Sequence, residues 1–131
     1  MFLIDSSAWI EYLRPAGSPR AKERVREILR MNAGASCGIV AVEILRGVRN
    51  ERDFQVLGEA LTALEPLPID NEVIDRAARW GYLLDRKGKS ISTTDLLIAS
   101  AAHGRACLVH IDRDFEQLSA VAHLEQEKID V

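Results

Sequence analysis

Apolar residues gather in two short runs that each stop at an aspartate. Phe2-Leu3-Ile4 runs into Asp5, and Ala106-Cys107-Leu108-Val109-His110-Ile111 runs into Asp112. Both read as buried strands. Elsewhere the apolar positions recur at threes and fours. Ser6 or Ser7 can cap a helix reaching about Leu13, with Trp9, Tyr12 and Leu13 inward. Ser18 caps the next helix, with Pro19 in its first turn, and Ala21, Val25, Ile28 and Leu29 share one face as far as Met31. Asn32-Ala33-Gly34 ends it, and a brief strand is predicted over 35–37.

Helices are then predicted over 39–48 and 51–64, the second with Phe54, Leu57, Leu61 and Leu64 at spacings of three and four. Leu67-Pro68-Ile69 is a short extended segment. Asp70 or Asn71 caps a helix to about Arg86, with Ile74, Ala77, Ala78 and Gly81 inward and Gly88 closing it. Ser92-Thr93-Thr94 opens a helix over 95–103. Its Leu96-Leu97-Ile98-Ala99 stretch has hardly any polar face, which predicts burial between layers. Phe115 and Leu118 suggest one helical turn, and the tail from Val121 reads as an edge strand. Short strands alternating with helices argue for an α/β fold, a parallel sheet with helices on both faces. No repeat or linker divides the chain, so 1–131 reads as one domain.

Hydrophobic residues make up 47% of the 131 residues and aromatics only 5%, so the core must be built from Leu, Ile, Val and Ala. No apolar stretch approaches the roughly 20 residues that span a bilayer, and Asp5 interrupts the first apolar run too early for a signal segment. A cytoplasmic location away from membranes is expected. Cys37 and Cys107 are isolated, each placed in a strand, and lack the neighbours zinc would need. The net charge of −3 argues only weakly against a nucleic-acid partner, because the basic residues cluster. Arg14, Arg20, Lys22, Arg24, Arg26 and Arg30 form one group, Arg46, Arg49 and Arg52 a second, and Arg86, Lys87 and Lys89 a third. Each is either a phosphate-contacting patch or an ordinary solvated helix surface.

The acids carry more information. If the first and last apolar runs are neighbouring parallel strands, Asp5 and Asp112 share the carboxyl edge of one sheet, where open α/β sheets bind ligands. Glu43 lies on an apolar helix among Val42, Ile44 and Leu45. Thr93 or Thr94 can cap, so Asp95 falls in the first turn of its helix, where the dipole favours the ionised form. Asp5 either caps the following helix or, with Ser6 or Ser7 capping, is free to face the edge. Asp114 is a second acid in the turn after Asp112, and can cap the final helical turn instead. Carboxylates gathered at one edge repel one another, and a divalent cation holds them together. The pattern points to a magnesium-dependent hydrolase of phosphate esters. No Gly-rich phosphate loop and no Gly-x-Ser-x-Gly elbow is present. Of the scattered His103, His110 and His123, only His110 stands close enough to Asp112 to reach the cleft.

Four segments resemble, in order, the motifs of PIN-domain ribonucleases, and specifically the VapC-like toxins of bacterial toxin–antitoxin pairs. They are Phe2-Leu3-Ile4-Asp5-Ser6-Ser7-Ala8-Trp9-Ile10, Val42-Glu43-Ile44-Leu45-Arg46-Gly47, Asp95-Leu96-Leu97-Ile98-Ala99-Ser100-Ala101 and Leu108-Val109-His110-Ile111-Asp112-Arg113-Asp114-Phe115. His110 departs from the pattern, where Thr or Ser is more usual. The resemblance implies a PIN-like fold with a central five-stranded parallel sheet flanked by helices, and an acidic pocket for one or two Mg²⁺ or Mn²⁺ ions. Asp5 and Asp95 are the first choice for direct ligands. Glu43 and Asp112 would act through water or a second ion, Ser7 would hydrogen-bond a ligand carboxylate, and Asp114 is the alternative to Asp112. The resemblance also implies RNA as substrate, a VapB-like antitoxin whose groove Trp9 and Tyr12 either line or underlie as core, and a homodimer within the complex. The alternatives are a non-toxin PIN nuclease of RNA processing and a haloacid-dehalogenase-like phosphatase. The latter would want Asp-x-Asp, and Ser7 occupies the second position.

Overall fold

The strand Phe2–Ile4 (β1) forms the middle of the sheet, and the chain lays its other strands on either side of it. The computed structural model describes residues 1–131. After β1 come helices α1 (Ser6–Leu13) and α2 (Pro19–Arg30), strand β2 (Gly34–Ser36), helices α3 (Gly38–Leu45) and α4 (Glu51–Thr62), and strand β3 (Glu65–Pro66). The chain then passes through helices α5 (Asn71–Arg86) and α6 (Thr93–Ala102) to strand β4 (Cys107–His110), a 3₁₀ helix (Arg113–Ala120) and strand β5 (Gln126–Lys128). The spatial order is β3-β2-β1-β4-β5, and every pair is parallel. Leu3 pairs with Ala35 on one side and Leu108 on the other. The strands leave β1 in opposite directions, so the gap between the carboxyl ends of β1 and β4 is the switch point where such sheets bind ligands.

Local chemistry explains the elements. The Ser18 hydroxyl accepts the Ala21 N–H at 3.2 Å, Pro19 starts α2 where no N–H is needed, and Ala21, Val25 and Ile28 are buried. Helix α6 is buried almost all round, as its sequence predicts, between β4 and α5. Its one buried hydroxyl, Ser100, donates to the Val73 carbonyl at 2.7 Å, so the polar group is not left unpaired. Arg24 of α2 grips Glu127 of β5 through Nε and Nη2 at 2.7 and 2.9 Å while its guanidinium lies over Phe2, which ties the sheet's last strand to a helix. No helix is long and apolar enough to cross a membrane.

Several boundaries differ from the sequence reading. The inward stripe of α5 is Val73, Ala77, Trp80 and Leu84, while Ile74 and Ala78 face water. The rotation follows from α6. Leu96 Cδ1 lies 3.0 Å from where a Cβ on Gly81 would sit, so the glycine flank takes the close helix contact and the larger residues fill the stripe beside it. Leu13 is exposed although Trp9 is buried. The paired strand is Glu65–Pro66, immediately before the extended segment expected at 67–69. Leu67 N–H still reaches Ser36 O at 2.8 Å, and Pro68 has no N–H to continue. Asn32, at φ 53°, makes the left-handed turn after α2, so Gly34 is free to start β2. Cys37 lies just past β2 as the residue before α3, not within a strand. The edge strand expected in the tail is β5.

Candidate metal centre at the carboxyl edge

Asp5 follows β1 directly, and its backbone N–H still bonds Val109 O at 2.9 Å. Its side chain is 3% exposed. Oδ2 accepts the Ser7 N–H at 3.0 Å and the Ser7 hydroxyl at 2.6 Å, so Asp5 itself caps α1, while Ser6 and Ser7 lie inside the helix. Capping and facing the edge are thus not alternatives, because the cap uses one oxygen only. Oδ1 is buried and has no partner. Burial pushes the Asp5 carboxyl above its usual pKa despite the Ser7 bonds. Ser7 Oγ also accepts the Ile111 N–H at 3.2 Å, which joins the ends of β1 and β4 across the switch point.

Glu43 comes from α3, which packs against α1. The Ser6 hydroxyl donates to its Oε1 at 3.0 Å. Asp95 is the third residue of α6, capped by Ser92, whose hydroxyl accepts the Asp95 N–H at 3.2 Å. The helix therefore starts two residues earlier than the sequence suggested, and neither Thr93 nor Thr94 is the cap. The dipole expected to keep Asp95 ionised is outweighed. Burial, then the charge of Asp5, then those of Asp112 and Glu43 push its pKa to about 6.

Past the end of β4, Asp112 caps the 3₁₀ helix by accepting the Asp114 N–H on Oδ1 at 2.9 Å. This reverses the expectation for the turn. Asp112 does not end the strand directly, since β4 stops at His110, and Asp114 is not the cap. Asp114 is exposed, and its Oδ1 accepts Gln117 Nε2 at 3.3 Å. His110 is fully buried against Phe115. Its Nδ1 accepts the Asp112 N–H at 3.2 Å, which leaves Nε2 to donate to Gln126 Oε1 at 2.9 Å. Burial holds its pKa down, so it is a neutral brace for the turn and not a cleft ligand.

Asp95, Asp112 and Asp114 present carboxylate oxygens within 4.8 Å of one another. Asp5 and Glu43 stand outside that trio, near enough for their charges to act on Asp95. Of the pair expected to bind first, Asp95 belongs to this trio and Asp5 does not. Two features fit a hard divalent cation: an all-oxygen donor set, and a buried carboxylate oxygen on Asp5 that lacks any other partner. Sequence reasoning used Ser6 only as a possible cap and did not single out Gln117. The signals were adjacency to Asp5 and the three-residue spacing from Asp114. Trp9 is buried, edge-on to Tyr12 at 5.8 Å, and belongs to the core. A hollow of about 330 Å³ opens beside the site between α3, α4 and the ends of β2 and β3, lined by Ala41, Leu45, Leu61 and Leu64 without any acid.

The basic groups separate on inspection. In the first, Arg14, Arg24 and Arg26 pair with Glu11, Glu127 and Glu23, and Lys22 donates to the carbonyls of Tyr12 and Arg14. The second and third groups form no salt bridge.

A family model described as PIN domain matches residues 2–121. The chain belongs to the PIN-domain family. Ribonuclease VapC11 of Mycobacterium tuberculosis is 38% identical over 131 residues, covering 95% of this chain and 96% of that protein. Among solved structures, VapBC2 from Rickettsia felis, bound to a DNA fragment of its promoter, superposes with a TM-score of 0.77 at 22% identity, covering 98% of both chains. FitAcB from Neisseria gonorrhoeae gives 0.75 at 22% identity, covering 91% of this chain and 94% of that one. These structures share the PIN fold, and the relative places the chain in the VapC branch of the family.

Proposed function

We propose that this PIN domain, residues 1–131, is a metal-dependent endoribonuclease acting as the toxin of a type II toxin–antitoxin pair. The observation that carries the reading is the convergence of Asp5, Glu43, Asp95, Asp112 and Asp114 on the switch point of a PIN sheet, with one buried Asp5 oxygen unpartnered. The 38%-identical relative is named a ribonuclease, and that activity transfers most simply with the acids. Asp5, Asp95, Asp112 and Asp114 would hold Mg²⁺, with Mn²⁺ as a substitute, and Glu43 would act through water. When bound, the ion supplies charge neutralisation at the phosphate and a more acidic water.

The chain's own residues do the rest. Ser7 fixes Asp5 and joins β1 to β4, so the two sides of the pocket keep their spacing. Ser6 holds one oxygen of Glu43, leaving Oε2 to orient a water or take its proton. Water attacking phosphorus in line with the leaving 3′ oxygen gives a 5′-phosphate and a 3′-hydroxyl, with no role for the 2′-hydroxyl as nucleophile. Nothing in the site favours the phosphatase alternative, since Ser7 serves as a donor to Asp5.

The neighbouring VapBC structures support a VapB-like antitoxin as partner, and the proposal includes a homodimer of this chain within that complex and a cytoplasmic location. The test is cleavage of total RNA with mapping of the cut ends. Magnesium-dependent cuts bearing 5′-phosphates, lost in chelator and in Asp95→Asn, are expected. Cleavage that survives both would remove the acids from the mechanism. Co-expression with the protein encoded immediately upstream should give a complex with reduced cleavage, and a fully active complex would count against the toxin reading.

A further inference from the structure

The segment between α5 and α6 is a rigid basic shelf beside the acids. It opens with a left-handed Gly88, at φ 70°, whose N–H bonds Asp85 O at 3.1 Å while the Lys89 N–H bonds Leu84 O at 3.0 Å. These two bonds close the end of α5 and fix the backbone of Lys89. One residue on, the Ser90 carbonyl accepts Gln117 Nε2 at 3.1 Å, and the same nitrogen donates to Asp114. Two residues further, Ser92 caps the helix that carries Asp95. The shelf is therefore one hydrogen-bonding residue away from Asp114 and bonded directly to Asp95's backbone.

Lys87 and Lys89 stand on it exposed and without a salt bridge. Arg86, just before them, is instead folded over the Tyr82 ring at 4.1 Å. A polyanion approaching five carboxylates is repelled unless cations flank its path. Two lysines without a salt bridge, on a backbone hydrogen-bonded toward two of those acids, meet that need, with only their side chains left to order.

We infer that Lys87 and Lys89 bind the phosphate backbone of the RNA next to the scissile bond and hold the strand there in ground state and transition state alike. The inference rests on the ribonuclease reading above. Phosphate contacts set the register of the strand without reading its sequence, so the shelf aligns substrate and leaves base choice to other surfaces. Gln117 has a linked role, since it holds the shelf against Asp114.

The test compares binding of a labelled single-stranded RNA by fluorescence anisotropy, in Mg²⁺, with the Asp95→Asn protein as the uncleaving parent. Lys87→Gln/Lys89→Gln added to that parent should weaken binding about tenfold at low salt. It should also flatten the salt dependence by roughly 1.4, since each single-strand phosphate contact contributes about 0.7. In the active protein the same pair of changes should raise KM several-fold with kcat nearly unchanged, the mark of lost uniform binding. Arg30→Gln/Arg105→Gln removes two cations at the opposite, amino-terminal edge of the sheet and serves as control. Equal losses in control and shelf variants would overturn the inference in favour of diffuse charge. Parent-like affinity and salt slope in the lysine variant would also overturn it, with the ribonuclease reading intact. RNA binding unchanged while capture of the antitoxin weakens would reassign the lysines to that partner. A parent that binds no RNA would overturn the ribonuclease reading itself, and this inference with it.

Discussion

Asp5 and Asp114 both belong to the acidic group around Asp95 and are built into the protein in opposite ways. Asp5 ends the central strand, is 3% exposed, and is locked by Ser7, which is itself bonded across the sheet to Ile111. Asp114 lies in a 3₁₀ turn, exposed, with a single side-chain bond from Gln117. A carboxylate held in the core before a cation arrives destabilises the fold, whereas one at the rim costs almost nothing. One wall of the site is thus fixed at the expense of stability, and the other can adjust to what binds. Asp95, half-buried between them, shares the cost, as its raised pKa shows.

The largest effect should come from removing charge on the fixed side. Asp5→Asn and Asp95→Asn should each lower cleavage by more than about 10²-fold, as loss of a preorganised electrostatic group does. Mg²⁺ should raise the melting temperature of the wild type, and both substitutions should abolish that rise. In chelator Asp95→Asn should be the more stable protein, by about 1 kcal/mol once solvent screening of a half-exposed group is allowed for. The sign follows from its carboxyl. Folded Asp95 keeps its proton to about 6, against 3.8 for the unstructured group, so the folded state binds protons more tightly. The wild type therefore loses stability as pH rises through that window, and Asp95→Asn should lose less, keeping only the part that the raised Asp5 carboxyl contributes. Urea melts in chelator at several pH values check this. A variant less stable than the wild type at neutral pH would mean that no cost is stored there.

Ser7→Ala should follow. It removes the hydroxyl donor to Asp5 and leaves the Ile111 N–H without its acceptor, at a cost of roughly 1–3 kcal/mol. Cleavage should fall less than for Asp5→Asn, because the carboxylate remains. Ser6→Ala, which only releases Glu43, should cost less than about 1 kcal/mol. Denaturation midpoints measured together decide the order. Equal losses would show that the joint between β1 and β4 is not what fixes the pocket.

How much of this was legible depended on whether the deciding contact was local. The apolar runs that become β1 and β4, the capped α2 and the buried α6 follow from residues near one another in sequence, and the structure has them. The rotation of α5 depended on Gly81 meeting Leu96 of another helix, and no periodicity in α5 alone contains that. The same holds at the site. The aspartates that follow the first and last apolar runs marked the edge. Which residue caps and which acid is left over was decided by hydrogen bonds two or three residues long, for which several neighbouring Ser, Thr and Asp side chains were equally good candidates. Ser92 took the cap from Thr93 and Thr94, and Asp5 took it from Ser6 and Ser7. The closeness of Asp114 to Asp95 needed the turn after β4, which His110 shapes through a bond to the Asp112 backbone.

The smallest expected effects, and the sharpest comparison, concern the two acids of that turn. Asp112 accepts the Asp114 N–H and so caps the 3₁₀ helix whose Phe115 and Leu118 are buried. Asp112→Ala should therefore cost about 1 kcal/mol of stability besides lowering cleavage, while Asp112→Asn, which keeps a capping oxygen, should retain stability and still cleave poorly. Asp114→Ala removes only an exposed carboxylate and its bond from Gln117, so stability should stay within about 0.5 kcal/mol. Its cleavage should fall because the trio with Asp95 and Asp112 loses a member. Melting curves and cleavage rates on the three variants separate the roles. Asp114→Ala as the unstable variant, with Asp112→Ala stable, would mean that the cap lies one turn later than the hydrogen bonds place it. Full activity in Asp114→Ala would leave the adjustable wall of the pocket to Asp112 alone.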